Sequence, residues 1–363
     1  MTRQRWAVAV ALLAAAVLGI AGGAVAFPRA QVADSGTAAQ LDRIDGNAYA
    51  ACVNAAGSST VRLNRCSAPP TTTSPPTSST PATTTPPTAP PSGGDCAWPA
   101  CFPTAATTGV PAGTALAAVG TDLHAVAGAT VDARDIQGSL IVDGNDVTVT
   151  RSRIHGVVFN CAGCHGLSLS DSEITARPDE DYSTGNFPPI TGSYTLTRVH
   201  VHRWQDGPRT DQGTAVIRDS LVDELTFQAG EHPDGVQQYC PGCEVHVTLD
   251  HNTLSGCAGN SSDKGNSALF WSDHPGTGST LLATHNRFAC GQYSVRINDT
   301  GSGITGNHPG VTVEVRDNTV SAGSYVNGPA ECAHGVTWNG TDGVKWSGNV
   351  LDSGAAIPMP CTA

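Results

Sequence analysis

The sequence predicts an all-β fold, a right-handed parallel β-helix (solenoid) of about eight or more coils, and three observations support this. A short motif recurs along residues 96–363, each copy ends an alternating apolar stretch, and no stretch between copies is long enough for a crossover helix. A stack of parallel coils is the simplest fold that satisfies all three observations.

The recurring motif consists of two or three polar residues followed by one aliphatic or aromatic residue. Successive copies end 20, 27, 21, 32, 34, 32 and 31 positions apart. Repeats of this length with variable insertions are typical of solenoids. The copies end at Ile154, Ile174, Val201, Val222, Leu254, Phe288, Val320 and Leu351.

Two strands are expected in most repeats. One precedes the motif, as in Val147–Thr150, and alternates between apolar and polar residues. A second, shorter strand lies earlier in the repeat, as in Gly235–Tyr239, Ala268–Ser272 and Gly335–Asn339. Four copies carry an asparagine at the same motif position, where stacked amides would form a structural ladder at a sharp turn. These residues are Asn252, Asn286, Asn318 and Asn349.

The N-terminal part of the chain has a different composition. Residues 1–26 combine Arg3 and Arg5, an apolar stretch and a small-residue cleavage pattern, which predicts a signal peptide. An uncleaved anchor is the alternative, since about 20 apolar residues can span a bilayer. Residues 27–68 are expected to be weakly structured, and the Pro/Thr/Ser-rich residues 69–94 to form a disordered linker.

The twelve cysteines predict six disulfides and an oxidising destination, so we expect a protein that is secreted or associated with the cell wall. Two Cys-x-x-Cys stretches fit local bridges in turns, although a redox motif or a four-cysteine zinc site is an alternative for them. The expected pairs are Cys52–Cys66, Cys96–Cys101, Cys161–Cys164, Cys240–Cys243, Cys257–Cys290 and Cys332–Cys361.

The charge balance limits the partners. The chain has 19 Lys and Arg against 31 Asp and Glu, a net charge of −12. Such a surface repels nucleic acid and anionic lipid, so we expect neither as a partner, and no membrane contact after signal cleavage. A polyanionic glycan would also be repelled unless cations or a local basic patch intervene. We expect the mature protein to be a monomer.

Residues 103–354 resemble the right-handed parallel β-helix proteins that actinobacteria export, a branch of the pectate-lyase-like superfold. The matching stretches are Gly109–Thr114, His232–Gln237 and Asn266–Phe270, and the resemblance covers about two-thirds of the chain. It implies a polysaccharide as the ligand, held in a groove along one parallel sheet. The superfold hosts lyases, hydrolases, esterases and binding modules, so it leaves the reaction open.

The floor of the groove is expected along one outer face of four successive coils, about 4.8 Å apart. The residues that would share this face are Gln237, Phe270, Arg296 and Thr337. The turns flanking these strands are expected to hold His232, Asp234, Asp273, Asp299 and Glu331. Turns on a rigid stack are frequent places for function.

Two reactions fit these residues. In β-elimination from a uronate, Arg296 would stabilise the carboxylate or act as the base, and Asp234 with Asp299 could hold Ca²⁺. Hydrolysis needs two carboxylates about 5–5.5 Å or about 6.5–9.5 Å apart, and Asp234 with Asp206, Asp211, Asp273 or Asp299 could supply them. The alternative for Asp234 is a structural Asp-Gly turn, and Arg296 could be a solvated surface residue.

Further residues are expected to contact the glycan. His232 and Gln237 would hydrogen-bond it, and Tyr182 and Trp204 would stack on sugar rings. His200 and His202 flank Val201 and read as ordinary surface residues of a strand. The leading hypothesis is therefore a secreted enzyme that cleaves an extracellular polysaccharide, lyase slightly ahead of glycoside hydrolase, and the alternative is a non-catalytic glycan-binding or adhesive β-helix.

Overall fold

The computed structural model describes residues 96–177, 188–211, 213–226, 231–238, 240, 242–259, 261–271, 276–297, 311–332 and 344–361. The predictions for residues 1–94, and with them the Cys52–Cys66 pair, lie outside these ranges, as do Tyr182, Asp273 and Asp299. Within the ranges, no helix has the length and apolar character that crossing a membrane requires.

The described regular elements are β-strands of two to six residues. In chain order they are β1 (Ala117–Val119), β2 (Leu123–Ala125), β3 (Thr130–Asp132), β4 (Arg134–Ile136), β5 (Leu140–Val142), β6 (Thr148–Thr150), β7 (Arg153–Ile154), β8 (Val158–Asn160), β9 (Leu167–Ser170), β10 (Glu173–Thr175), β11 (Tyr194–Thr197), β12 (His200–His202), β13 (Gly213–Arg218), β14 (Leu221–Asp223), β15 (Asp234–Gln237), β16 (Val245–Asp250), β17 (Thr253–Ser255), β18 (Ser267–Trp271), β19 (Thr280–Thr284), β20 (Arg287–Ala289), β21 (Tyr293–Ile297), β22 (Thr312–Arg316), β23 (Thr319–Val320), β24 (Gly328–Cys332), β25 (Val344–Ser347) and β26 (Val350–Leu351).

The strands form the three faces of a solenoid, and neighbouring strands pair in parallel. Face 1 is a ten-stranded sheet from β1 to β26, and face 2 is a nine-stranded sheet from β3 to β25. Face 3 consists of a three-stranded sheet (β2, β5, β8) and a four-stranded sheet (β15, β18, β21, β24). Each coil passes through face 3, face 2 and face 1 in turn. The predicted parallel β-helix, with its eight or more coils, is confirmed.

The two sheets of face 3 are joined by single residues. Val158 bridges to Ile190, and Arg209 bridges to Gln237. The amide of Arg209 donates to the carbonyl oxygen of Ile190 at 3.1 Å. Backbone hydrogen bonds therefore continue along face 3 between its two sheets.

The interior of the solenoid is filled by apolar side chains, most of them aliphatic. The final residues of the motif copies from Ile154 to Val320 point inward and are buried. Full burial of one such side chain contributes about 1.5–3 kcal/mol. Leu269 and Trp271 are two positions apart on β18 and share the inner face, since side chains alternate along a strand.

The four asparagines form the predicted ladder. The Nδ2 group of each of the first three donates to Oδ1 of the next, at 2.9, 3.0 and 2.9 Å. The residue before each asparagine has a positive φ, between 54° and 65°, which makes the sharp turn from face 2 to face 1. The amides hold the backbone of neighbouring coils together at this turn.

Five of the six expected disulfides lie within the described residues, and all five are present. Cys161–Cys164 and Cys240–Cys243 close local turns, with Cα atoms 5.2 and 5.4 Å apart. The other three are Cys96–Cys101, Cys257–Cys290 and Cys332–Cys361. The Cys257–Cys290 bridge joins equivalent turns of adjacent coils, as predicted.

The lead-in segment Cys96–Gly109 lies across the turns that join face 2 to face 1. The carbonyl oxygen of Cys101 lies 3.0 Å from Nε2 of His251, and the carbonyl of Pro103 accepts from Oγ1 of Thr253 at 2.7 Å. At its far end, the amide of Gly109 donates to the carbonyl of Arg198 at 3.0 Å. The segment therefore covers the outside of face 1 next to β12.

Candidate functional site

The predicted row on the outside of face 3 is present for the described residues. Gln237 pairs with Phe270, and Phe270 pairs with Arg296, so the three side chains share one face. The next residue in the row is Glu331, which lies in β24 opposite Arg296 and not in a turn as expected. The fourth strand begins earlier in the chain than predicted, and Thr337 lies outside the described residues.

Asp234 is the first residue of β15 and does not lie in an exposed turn. It shares the inner face with Val236, and none of its surface is exposed. Its Oδ1 accepts hydrogen bonds from Nδ2 of Asn266, at 2.9 Å, and from the hydroxyl of Ser267. A side chain without exposed surface does not touch a polysaccharide outside the solenoid, so this geometry gives Asp234 a structural role.

Burial raises the pKa of Asp234 well above its ordinary value, and the negative charge of nearby Asp206 acts in the same direction. Asp206 accepts the Asp234 amide at 3.0 Å, and its own pKa is raised by burial. Packing between coils also explains why a glycine follows Asp234. A Cβ on Gly235 would lie 2.6 Å from the carbonyl oxygen of Ala268 on the next coil.

Arg296 is half-buried and already bound on several sides. Its Nε donates to Glu331 at 2.8 Å, and its Nη1 donates to Oδ1 of Asn266. The guanidinium lies 5.5 Å from the ring centre of Phe270 and 5.9 Å from that of Tyr293. Asn266 contacts both Arg296 and Asp234 and so links them. The ion pair with Glu331 neutralises the positive charge of Arg296 that would otherwise bind a substrate carboxylate.

The other expected glycan contacts have different positions. Trp204 has no exposed surface and lies in the core, so its expected stacking on a sugar ring is wrong. Gln237 is only 7% exposed, whereas His232 is exposed. Among the described residues, no three His, Cys, Asp or Glu side chains converge as a metal site, and Asp299 lies outside them. The expected Ca²⁺ therefore stays a prediction.

A cleft that the sequence did not predict lies on face 1. It has a volume of about 530 Å³ and crosses the first coils where the strands of face 1 end. Its lining consists of Gly120, Gln137, Arg153, His155, Glu173, Thr175, Ala176, Arg177, His202 and Arg203. Three arginines and one glutamate line this cleft in a chain of net charge −12. The lining is therefore locally basic.

Two outward rows of face 1 supply the side chains of the cleft. In one row, Arg153 pairs with Glu173, and Glu173 pairs with His200. In the other, Thr175 pairs with His202. His155 follows Ile154 directly, as Thr175 follows Ile174, and this places His155 in the second row. Side chains along each row repeat about every 4.8 Å.

Glu173 is held at the centre of the cleft. Its Oε2 accepts from Nε of Arg153 at 2.6 Å, and its Oε1 accepts from Nε2 of His202 at 2.8 Å. Burial by itself would raise the pKa of Glu173, but the hydrogen bonds from His202 and Arg153 together lower it to about 2. The carboxylate is therefore ionised at neutral pH.

The histidines of the cleft are paired with carboxylates. His155 contacts Oδ1 of Asp135 through Nε2 at 2.9 Å. His202 stacks on His200, with ring centres 4.2 Å apart, and His200 contacts Asp223 at 2.7 Å. The other ring nitrogen of His202, Nδ1, is buried and lies 3.8 Å from Glu224.

Arg203 completes the cleft from the turn after β12. Its backbone has a φ of 65° and its side chain is exposed. No described carboxylate forms an ion pair with it. Its charge is therefore available to an anionic ligand.

One sequence feature could have indicated this cleft. The alternation His200-Val201-His202 places two histidines on the outside of one strand, where ordinary surface residues were expected. The carboxylate partners of these histidines lie on neighbouring coils, so they depend on the register between β12 and the strands beside it. The alternation within one strand does not predict that register. No protein-family model, curated protein or solved structure matches this chain.

Proposed function

We propose that this chain is a secreted carbohydrate-active protein that binds an acidic polysaccharide in the face 1 cleft and cleaves it by β-elimination. The observation that carries the proposal is the lining of the cleft, where three arginines and two carboxylate-paired histidines meet in a chain of net charge −12.

The charge distribution supports an acidic ligand. The field of the whole chain repels a polyanion, and a local group of arginines offsets that repulsion at one place. The guanidinium is planar and binds carboxylates through paired N–H groups. Arg203 is exposed, and Arg153 uses Nε for its bond to Glu173. Both side chains can therefore donate to carboxylates along an extended glycan.

The lining favours elimination over hydrolysis. A glycoside hydrolase of the usual kind needs two carboxyl groups, one of which is protonated and donates to the leaving oxygen. Glu173 is the carboxylate among the described lining residues, and it is ionised and bound to Arg153 and His202. β-Elimination instead needs a base and positive charge near the uronate carboxylate, and histidine with arginine fits that need.

The disulfides support an extracellular location. Five bridges lie within the described residues. Disulfides persist in oxidising compartments and are rare in the cytosol. Extracellular polysaccharides are available to a protein in such a location.

The test is incubation of the purified chain with a panel of polyuronates and neutral polysaccharides, with and without a chelator. We expect unsaturated sugar ends, measured by ultraviolet absorbance, with polyuronates alone. Arg203→Ala should lower the rate at least tenfold, whereas Arg218→Ala, which removes an exposed arginine of face 2, should leave it unchanged.

Two other results would contradict the proposal. Binding without unsaturated ends or reducing ends would make the protein a non-catalytic glycan-binding module. Neither binding nor cleavage across the panel would overturn the role of the cleft in glycan recognition.

A further inference from the structure

We infer that Asp135 and His155 form the proton-accepting pair of the cleft: His155 removes the proton next to the uronate carboxylate, and Asp135 orients the ring. This inference rests on the proposed function and adds to it the identity of the base.

The geometry of the pair leaves one ring nitrogen available. Nε2 of His155 lies 2.9 Å from Oδ1 of Asp135, and Oδ2 of the same carboxylate accepts from Nε2 of Gln137 at 3.1 Å. An ionised carboxylate only accepts hydrogen bonds, so Nε2 of His155 carries the hydrogen. Nδ1 then has a free lone pair, and no described residue bonds to it.

His155 is also exposed enough to reach a substrate. It lines the cleft, and 20% of its side chain is exposed. Histidine is the side chain best suited to accept a proton near neutral pH. A carboxylate partner that fixes the tautomer of such a base is a recurring arrangement in enzymes.

The other titratable groups of the described lining fit this role less well. Glu173 has a pKa of about 2, which makes its carboxylate a weak base. His202 donates Nε2 to Glu173, and its Nδ1 is buried. The arginines remain protonated in proteins. His155 is the remaining group of the lining that combines exposure with an unbonded nitrogen.

The elimination step balances without any further reactant. The Nδ1 lone pair of His155 forms a bond to the proton, and the electrons of the broken C–H bond form the new carbon–carbon double bond. The glycosidic C–O bond breaks, its electron pair leaves with the oxygen, and a solvent proton completes that hydroxyl group. Arg203 stabilises the negative charge that grows on the uronate carboxylate during the step.

The test compares three variants on the polyuronate that the unmodified chain cleaves best. His155→Gln should lower kcat by about 10²–10⁴-fold with little change in KM, as expected for loss of a general base. Asp135→Asn should give a smaller loss of kcat and a shifted pH profile, because it acts through His155. His124→Gln is the matched control, since His124 contacts Asp143 at 2.7 Å on face 3, outside the cleft.

The pH profile shows whether His155 acts as the general base or has only a structural role. In the unmodified chain, kcat/KM should fall on the acid side, as it does for an enzyme with a general base, and His155→Gln should lack that limb. The charged and titratable groups around His155 are Asp135, Arg153, Glu173 and His202 on the strands of face 1, and Arg177 and Arg203 just after the ends of β10 and β12. Thermal unfolding of each variant shows whether it folds. In a fourth variant, His155→Ala, added imidazole should restore part of the activity.

The outcomes distinguish a wrong assignment of the base from an absence of polysaccharide cleavage. If the unmodified chain cleaves and His155→Gln cleaves equally well, the pair is not the base, although the proposed function stands. If the unmodified chain cleaves no polysaccharide, the proposed function fails and the assignment of the base fails with it.

Discussion

Asn286 offers a quantitative test of the ladder that holds the coils in register. Its side chain is fully buried and makes four hydrogen bonds. Oδ1 accepts from the amide and from Nδ2 of Asn252, and Nδ2 donates to the carbonyl of Leu249 and to Oδ1 of Asn318. Replacement by alanine leaves all four partners buried without these bonds.

The expected cost follows from this count. A buried hydrogen bond contributes about 1 kcal/mol net, so Asn286→Ala should lower the free energy of unfolding by about 4 kcal/mol. Asn349, at the end of the ladder, makes three such bonds. Asn349→Ala should therefore cost about 3 kcal/mol by the same reasoning.

Urea unfolding followed by circular dichroism measures both losses. Asn327→Ala is the control, because this exposed asparagine makes one side-chain bond, to Gln292 at 3.3 Å, and its loss should change stability by about 0.5 kcal/mol or less. A loss below about 1 kcal/mol for Asn286→Ala would refute the ladder as a source of stability.

Three further perturbations test other parts of the fold. Burial raises the pKa of Asp234 above its ordinary 3.8, so ionisation opposes folding as the pH rises past that value. Asp234→Asn should therefore be more stable than the unmodified chain at pH 7, by a margin that shrinks toward pH 4 in urea unfolding; an equal margin at both pH values would contradict this. Replacing Cys257 and Cys290 by serine opens a bridge of sequence separation 33 and should cost about 4 kcal/mol, and an unchanged midpoint under oxidising conditions would contradict it. Gly235→Ala brings a methyl group within 2.6 Å of a carbonyl oxygen and should cost about 1–3 kcal/mol in the same assay, whereas a neutral effect would show that the coils can separate there.

The fold could be predicted from sequence because its signals are local and periodic. The asparagines recur at one motif position, and a parallel stack turns that spacing into a ladder. The cysteine pairing followed from the same logic, since Cys257 and Cys290 occupy equivalent places in adjacent coils. Variable loops blur such a signal, and β24, the last strand of the four-stranded sheet, was therefore expected too late in the chain.

The site was harder to predict because it depends on contacts between coils. Asp234 and Val236 share the inner face of β15, and the two-residue alternation could have shown that this aspartate is buried. Glu173 lies on β10, and His200 and His202 lie on β12. A long insertion separates these strands in the sequence, so the register in which they pair could not be predicted. Sequence patterns find the outward face of each strand, and they find its neighbour on the next coil only where the repeats are regular, as for Gln237 and Phe270.

A structure of the chain bound to a short acidic oligosaccharide would show where the glycan lies. We expect the sugar in the face 1 cleft, with a carboxylate on Arg203 and a ring carbon facing Nδ1 of His155. An oligosaccharide bound along Gln237, Phe270 and Arg296 on face 3, with the face 1 cleft empty, would contradict it.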